Sequence, residues 1–334
     1  MILNGQDTDA VAQAAAVLAA GGLVAFPTET VYGLGADASS DAAVAGIFAA
    51  KGRPSDHPLI VHVAGVAAVS HFAREVPAFA QALMDAFWPG PLTLIVPRRA
   101  GVAAASAGGQ DTIGLRCPSH PVALALLRAC AAATPPVHGL SGPSANRFGR
   151  VSPTTAAHVQ AEFGDSLLVL DGGPCDVGIE STIIDCTRGV PVLLRPGAIT
   201  RDQVAAACGQ PVRSQQELDA ALPAAPRASG TLEAHYAPTA RVRLMDAAAL
   251  QTALDLLGAD GTGIAVWSRV PLRSSSGRIV RRRMPDDAAA AAQQLFAVLR
   301  EFDTAGVSLI WVETPPDTPE WEGVRDRLQR AAAA

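Results

Sequence analysis

Alternation of strand-like and helical segments, repeated on both sides of a proline-rich stretch, restricts the fold of this chain most strongly. Short apolar runs such as Leu59–Val63 alternate with alanine-rich runs such as Ser40–Ala50, a pattern that predicts an α/β fold. From about residue 209 to 234 the periodicity fades among Pro211 and Pro223, which is typical of a linker. The sequence therefore predicts two α/β domains joined by a linker.

The first domain is predicted to hold a mixed sheet covered by helices. Strands are expected over the apolar runs Leu23–Phe26, Leu59–Val63, Leu92–Val96, Thr112–Leu115, Leu167–Leu170, Ser181–Asp185 and Val192–Leu194. Helices are expected over Asp7–Ala20, Ser40–Ala50, Val76–Phe87, Pro121–Ala132, Thr154–Phe163 and Thr200–Cys208. The tight turn Trp88-Pro89-Gly90-Pro91 and the short final strands suit antiparallel neighbours.

The second domain is predicted to be a small open α/β domain with parallel strands. Its strands are expected over Arg241–Met245, Gly263–Trp267 and Val307–Val312, and its helices over Ala247–Leu257 and Asp286–Asp303. It lacks the GxGxxG and GxxxxGK[ST] fingerprints, so no dinucleotide or Walker-type site is predicted there. The arginine-rich run Arg278–Arg283 is interpreted as a solvated strand edge or loop.

Composition limits the class of protein. The 334 residues exceed one average core, and no apolar run of membrane length or secretory leader is present, so a cytoplasmic protein is expected. A net charge of -5, with residues 1–210 and 211–334 both acidic, opposes bulk affinity for nucleic acid. The five cysteines contain no CxxC pair and are expected to be reduced: Cys117, Cys130, Cys175, Cys186 and Cys208.

Lys51 is the only lysine, since 25 of the 26 basic side chains are arginine. It precedes Gly52 and Arg53, and a compact ammonium beside glycine and arginine suits phosphate binding. The alternative is that one lysine lies at a helix end near Gly52. Hydroxyl- and glycine-rich turns elsewhere, such as Pro27–Gly35 and Gly139–Thr155, could also bring backbone N–H groups to an anion.

Six motifs over about residues 10 to 208 give the chain its resemblance to a known family. They are FPTETVYGLG, KGRPSDHPLIVHV, WPGPLTLIV, SGPSANRFGRVSPT, DGGPCDVGIESTIID and LLRPG. Their order and spacing resemble the YrdC/Sua5 family of L-threonylcarbamoyladenylate synthases. The segment His235-Tyr236-Ala237-Pro238, followed by a further domain, resembles the longer Sua5 type.

The resemblance implies a fold and a reaction. It implies a YrdC-like catalytic domain over 1–208 with a twisted mixed sheet, a linker with the HYAP motif over 209–238, and a Rossmann-like Sua5 domain over 239–334. The implied reaction joins L-threonine, bicarbonate and ATP into threonylcarbamoyl-AMP and pyrophosphate. This is the first step of N6-threonylcarbamoyladenosine (t6A) formation at position 37 of tRNAs that read ANN codons, so a downstream threonylcarbamoyl transferase is the expected partner and tight tRNA binding is not expected.

Residue roles follow from the matching positions. The resemblance places Lys51 and Arg53 on the ATP phosphates as catalytic residues. It assigns further ATP contacts to His57, Thr112, Ser144, Ser152, Arg195 and Tyr236. It assigns L-threonine contacts to Thr30, His62, Arg116, Gly142 and Ser181. His57 replaces the asparagine usual in the family, and a loop histidine is the alternative for it.

Local spacing supports part of this assignment. Thr112, Gly114 and Arg116 share one face of a strand, so a small ligand could lie across Gly114 and reach the guanidinium. An ion-paired arginine on a surface strand is the alternative for Arg116. Mg²⁺ is expected with ATP, and its ligands stay open among Glu29, Asp171, Glu180 and Asp185.

Two other functions remain open at this point. The first domain could be an RNA-binding module, although the acidic composition and the two tyrosines argue against stacking on RNA bases. The chain could also be a carbamoyltransferase-type enzyme that uses carbamoyl phosphate. Cys175 is a weak candidate nucleophile because the sequence shows no partner base for it.

Overall fold

The computed structural model describes residues 1–217, 226–232 and 234–334. They group into two compact units. Unit 1 consists of Met1–Phe148 and Ser152–Thr231, and unit 2 consists of Gly149–Val151 and Leu232–Ala334. Of the predicted linker 209–238, residues 218–225 and 233 lie outside the described residues.

The strands of unit 1 are β1 (Ile2–Asn4), β2 (Val24–Phe26), β3 (Gly33–Asp37), β4 (Ile60–His62), β5 (Leu92–Pro97), β6 (Thr112–Arg116), β7 (Leu140–Ser141), β8 (Leu168–Asp171), β9 (Thr182–Asp185), β10 (Val192–Arg195) and β11 (Arg213–Ser214). In the described part of the chain they form one sheet in the order β1-β8-β2-β3-β7-β4-β6-β5-β9-β10-β11. The sheet contains parallel pairs such as β4 with β6 and antiparallel pairs such as β5 with β6. The predicted mixed sheet is confirmed.

The helices of unit 1 are α1 (Thr8–Ala19), α2 (Asp41–Lys51), α3 (Val69–Phe72), α4 (Ala78–Phe87), α5 (Pro121–Ala131), α6 (Ala156–Phe163) and α7 (Arg201–Cys208). Capping residues set several of these ends. The Asp7 carboxylate accepts the backbone N–H of Asp9 at the start of α1, and Thr200 with Gln203 forms a capping box at the start of α7. Only the four-residue helix α3 was not expected.

Four strands of this sheet were not expected from periodicity: the short strands β1 and β11 at its edges, and the neighbouring strands β3 and β7 near its centre. Strand β3 pairs with β2, and β7 pairs with both β3 and β4. A Cβ on Gly35 would lie 2.9 Å from the Phe26 ring, so glycine is needed where that ring crosses β3. Glycine usually marks a turn in a sequence, and this is why the segment was predicted as one.

Unit 2 contains β12 (Arg241–Met245), α8 (Ala247–Leu257), β13 (Ile264–Ser268), β14 (Val280–Arg283), α9 (Ala288–Thr304), β15 (Leu309–Glu313) and α10 (Glu322–Ala332). Its sheet has the order β12-β15-β13-β14, and every pairing is parallel. The predicted parallel α/β domain is confirmed. Strand β14 is an edge strand with exposed arginines, as interpreted for Arg278–Arg283.

Helix α10 was not predicted because polar residues dominate it. Its buried apolar side chains, Val324, Leu328 and Ala331, form a narrow stripe at helical spacing. Among the described residues, no helix combines the length and the apolar character that a membrane crossing requires.

Candidate active site

The turn that follows β2 brings buried hydroxyl groups together. The Thr28 hydroxyl donates to the carbonyl of Val31 at 2.6 Å and accepts the backbone N–H groups of Thr30 and Val31 at 3.2 Å each. The two threonine hydroxyl oxygens are 2.9 Å apart. Because the Thr28 hydroxyl forms hydrogen bonds with the backbone groups of the turn, the turn holds the buried Thr30 hydroxyl in one place.

Arg116, the last residue of β6, points its guanidinium at this turn. Nη1 donates to the Thr30 hydroxyl at 2.9 Å, Nε donates to the carbonyl of Gly90 at 3.3 Å, and Nη2 lies 2.7 Å from Oε1 of Glu29. Arg116 is 4% exposed and Glu29 is 4% exposed. A guanidinium has five N–H donors, so these contacts leave capacity for a bound anion. Arg116 is thus ion-paired as the alternative held, but in a buried position rather than on a surface strand.

His62 on β4 lies beside Arg116, to which it is paired in the β4–β6 register. Burial, and then the charge of Arg116, lower the pKa of His62 to about 3, so its imidazole is neutral at physiological pH. Within the described residues, Nδ1 of His62 has no hydrogen-bond partner. A Cβ added to Gly142 would lie 2.8 Å from that nitrogen. Glycine is therefore needed where the backbone passes this close to the buried imidazole edge.

Lys51 ends α2, and Gly52 follows it in the left-handed conformation with φ 64°. Nζ donates to the backbone carbonyls of Ser144 and Asn146, both at 2.5 Å. Burial, and then the nearby Arg53 charge, hold the pKa of Lys51 well below its ordinary value of 10.5. Lys51 thus lies at a helix end, as the alternative predicted. Its side chain, however, points inward onto the hydroxyl-rich loop that contains Ser144 and Asn146.

Arg53 and His57 lie around the ring of Phe148. The Arg53 guanidinium carbon is 5.6 Å from the ring centroid, and the His57 ring meets the same ring edge-on at 5.5 Å. Nη2 of Arg53 donates to the carbonyl of Pro58 at 3.0 Å. Burial, and then the charge of Arg53, lower the pKa of His57, which favours a neutral imidazole there.

Arg195 on β10 is bonded to Ser181 and to Ser229. Nε and Nη2 donate to the carbonyl and hydroxyl of Ser181 at 3.0 and 3.1 Å, and Nη1 donates to the Ser229 carbonyl at 2.8 Å. The hydroxyls of Ser181 and Thr93 are 2.8 Å apart. The Ser229 hydroxyl also receives an N–H from Arg53 at 3.3 Å and donates to Pro58 at 2.7 Å. Two arginines from distant parts of the sequence therefore meet at Ser229.

The segment Arg227–Ser229, here called the strap, crosses a small cavity of unit 1. Thr112 and Gly114 line this cavity, so the face of β6 that the sequence singled out borders open space. Arg227 anchors the strap by an ion pair with Asp56 at 2.7 Å. Both of these side chains are well exposed, so the ion pair itself contributes little stability.

The other predicted residues of unit 1 have defined partners. Ser152 is buried and donates to Oε1 of Glu180 at 2.5 Å. Asp171 accepts from the Tyr32 hydroxyl at 3.1 Å, and Asp185 pairs with Arg188. The four carboxylates considered for Mg²⁺ thus already have donors. No group of three or more His, Cys, Asp or Glu side chains suited to a metal ion occurs in the described ranges.

Cys175 does not have the properties of a nucleophile. Its side chain is buried, and burial raises the pKa of the thiol above its ordinary value. The thiol is therefore protonated at physiological pH, and the thiolate that nucleophilic attack needs is absent.

Tyr236 lies in unit 2, where its ring is buried and its φ is 61°. It packs against Phe296 at 5.3 Å, against the His235 ring at 4.1 Å, and against the Arg327 guanidinium at 5.5 Å. The HYAP motif thus contributes to the packing of unit 2. Its predicted contact with nucleotide stays a prediction.

Sequence reasoning did not find three residues that organise the site. Glu29 was considered only as a magnesium ligand, whereas it is the ion-pair partner of Arg116. Thr93 is the one hydroxyl in the apolar run Leu92–Val96, a signal that could have indicated a polar contact. Ser229 belongs to the predicted linker 209–238 and had no role of its own there, and only the folded chain shows that it joins Arg53 and Arg195.

Two family models match the sequence. The model described as "Telomere recombination" matches residues 16–197. The model described as "Threonylcarbamoyl-AMP synthase, C-terminal domain" matches residues 199–333.

The similarity to known proteins covers nearly the whole chain. Threonylcarbamoyl-AMP synthase of Bacillus subtilis (strain 168) is 38% identical over 330 residues, covering 96% of this chain and 92% of that protein. The Pyrococcus abyssi protein of the same name is 36% identical over 330 residues, covering 96% and 93%. The crystal structure of P. abyssi Sua5 complexed with L-threonine matches with a TM-score of 0.88 at 33% identity, covering 99% of this chain and 97% of that one.

Proposed function

The chain belongs to the YrdC/Sua5 family of threonylcarbamoyl-AMP synthases, and from this membership we propose that it makes threonylcarbamoyl-AMP from L-threonine, bicarbonate and ATP. The observation that carries the proposal is the buried Arg116 guanidinium, held by Glu29 and Thr30 beside the neutral imidazole of His62. This arrangement offers a cation for the carboxylate of a small amino acid and polar groups for its hydroxyl group.

L-threonine is proposed to bind at Arg116. Its carboxylate would accept the remaining N–H groups of the guanidinium in a bidentate pair. Its hydroxyl can be satisfied by Thr30 or by Nδ1 of His62, which has no hydrogen-bond partner in the part of the chain that the structure describes. Gly142 leaves room for the side chain, and Ser181 supplies a further hydroxyl on this side of the site.

ATP is proposed to bind with its phosphates near Lys51 and Arg53, at the end of α2, and near Arg195 at the end of β10. Ser144, Ser152, Thr112 and His57 are the proposed polar contacts to the nucleotide. Because the carboxylates of the described residues form no metal cluster, the proposal gives Mg²⁺ to the ATP phosphates and water.

The chemistry needs positioning and charge stabilisation. The neutral amine of L-threonine attacks carbon dioxide released from bicarbonate, forms an N–C bond and loses a proton. The resulting carbamate oxygen then attacks the α-phosphorus in line, and the bond to the β-phosphate oxygen breaks. The cations stabilise the departing pyrophosphate. No covalent enzyme intermediate is needed, in agreement with the protonated thiol of Cys175.

Three further assignments belong to this proposal. The domain boundaries are proposed as 1–208, 209–238 and 239–334, and Tyr236 is proposed as a nucleotide contact. The product is proposed to pass to a threonylcarbamoyl transferase that forms t6A on tRNA. A cytoplasmic location is part of the same proposal, since ATP and tRNA are used there.

The test is pyrophosphate release by the purified full chain with ATP and bicarbonate, compared for L-threonine, L-serine and no amino acid. Mass spectrometry follows threonylcarbamoyl-AMP. We expect threonine-dependent pyrophosphate release together with that product, and partial use of L-serine, because one methyl group gives only about 1–3 kcal/mol of discrimination. Folded protein that makes neither product would contradict the proposal. Parallel assays with carbamoyl phosphate and with RNA then separate the two alternatives.

A further inference from the structure

Glu29 is held more firmly than a chance ion-pair partner requires. Oε1 lies 2.7 Å from Nη2 of Arg116, and Oε2 accepts the backbone N–H of Ser119 at 3.1 Å. Its own backbone carbonyl accepts the N–H of Val177 at 2.7 Å. The carboxylate is therefore fixed on both oxygens, and its backbone is fixed as well.

The charges around Arg116 balance before any ligand binds. His62 is neutral because its pKa is lowered to about 3, and burial raises the pKa of Cys117 to about 11 and also raises that of Cys175. The ionised groups in direct contact are then one guanidinium and one carboxylate. A ligand with a carboxylate alone would add an uncompensated negative charge to this buried site. An amino acid brings its own ammonium group and keeps the balance.

We propose that Glu29 makes the carboxylate-binding site at Arg116 selective for zwitterionic amino acids over carboxylic acids that lack the amine. This inference rests on the proposed function, in which Arg116 holds the L-threonine carboxylate. Glu29 acts as a positioning residue, since it reaches the substrate through Arg116.

The contacts also show how Glu29 orients the guanidinium. Glu29 and Thr30 engage one terminal nitrogen each, and Gly90 engages Nε. Nη2 makes an ion pair with Glu29 but no hydrogen bond within the described residues, so its N–H groups stay available to a carboxylate. Without Glu29 the guanidinium would keep its charge but would be held by two contacts, with Thr30 and Gly90, instead of three.

The experiment measures binding rather than turnover. Isothermal titration calorimetry on the full chain at pH 7.5 compares L-threonine with (2S,3R)-2,3-dihydroxybutanoate, in which a hydroxyl group replaces the amine. The wild type should prefer L-threonine. The preference is expressed as the dissociation constant of (2S,3R)-2,3-dihydroxybutanoate divided by that of L-threonine. Glu29→Gln keeps the shape of the side chain and removes its charge. It should lower this ratio by about tenfold, as the loss of one partly screened charge interaction implies. Glu29→Asp keeps the charge and should keep most of the preference.

A matched control comes from unit 2. Glu313 is another buried carboxylate paired with an arginine, Arg269, and Glu313→Gln should leave the ratio unchanged. A folded Glu29→Gln protein with the wild-type ratio would overturn the inference, as would loss of the preference in Glu29→Asp. If the wild type binds no L-threonine at all, the proposed function fails instead, so the two failures are distinguishable.

Discussion

Replacing Lys51 by methionine tests the proposed phosphate site most directly. Methionine keeps the length and apolar stem of lysine, so the end of α2 stays filled while the two hydrogen bonds from Nζ to Ser144 and Asn146 disappear. The ammonium is buried, and its pKa is held well below 10.5 by burial and by Arg53. The unliganded fold therefore gains little from the charge, and the loss should appear when ATP binds.

The size of the loss can be worked out for ATP affinity and for kcat. A charge-assisted hydrogen bond to phosphate contributes about 1.5–3 kcal/mol, which corresponds to an ATP affinity about 10- to 150-fold weaker. Loss of one donor that stabilises the departing pyrophosphate costs about 10²–10³-fold in kcat. We expect kcat/KM for ATP in Lys51→Met to fall by about 10³-fold or more.

The lowered pKa also gives a pH signature. The unfolded chain holds the Lys51 proton up to about 10.5, whereas the folded chain releases it at lower pH. The unfolded state thus binds more protons in the window between these values, and the free energy of unfolding rises with pH there, by up to about 1.4 kcal/mol per pH unit. The rise should be absent in Lys51→Met.

Pyrophosphate release, ATP titration calorimetry and urea unfolding from pH 7 to 10.5 measure these three effects. The control is Arg74→Met, which removes an exposed cation that is paired with Glu75 and should behave as the wild type in all three assays. Turnover of Lys51→Met within threefold of the wild type, or the same pH dependence of unfolding in both proteins, would refute the reasoning.

Three further substitutions have defined expectations. Arg116→Ala should abolish synthesis and, by leaving Glu29 buried without its cation, lower the free energy of unfolding by about 3–5 kcal/mol in urea titrations; an unchanged unfolding midpoint would contradict the ion-pair argument. Gly142→Ala places a Cβ 2.8 Å from Nδ1 of His62 and should raise KM for L-threonine about tenfold in steady-state assays. Its control is Gly46→Ala, where the nearest atom is 3.6 Å away, and equal KM values in the two variants would count against the His62 assignment. Cys175→Ala should retain kcat within about twofold, and a hundredfold loss would restore the thiol as a candidate nucleophile.

Periodicity predicted the elements whose burial is regular. Strand Arg241–Met245 and helix Ala247–Leu257 occur with the predicted ends, because a parallel strand and an amphipathic helix each repeat one simple pattern. Strands β3 and β7 escaped prediction for the opposite reason. Glycines in β3 carry no side chain to form a pattern, and the two residues of β7 are too few for one. Such strands form because neighbouring strands offer hydrogen-bond partners.

The site was predictable only where the motif residues act by themselves. Lys51 stood out as the one lysine of the sequence, and Arg116 stood out by sharing a strand face with Gly114. His62 was singled out only by the resemblance to the family. The partners Glu29, Thr93 and Ser229 are ordinary residues in the sequence, and their importance arises from contacts between segments far apart in the chain. Arg195 to Ser229, for example, is a contact that no local pattern encodes.

A chain that otherwise uses arginine for every basic side chain retains one lysine, and the surroundings of Lys51 give a physical reason. An arginine at this position would stay protonated because the guanidinium cannot be deprotonated in proteins, and its charge would then be buried beside Arg53 in the absence of ATP. A lysine can release its proton there, since burial and Arg53 both lower its pKa. Lysine therefore suits this buried site better than arginine, because loss of a proton can relieve the cost of burying its charge and arginine lacks that option.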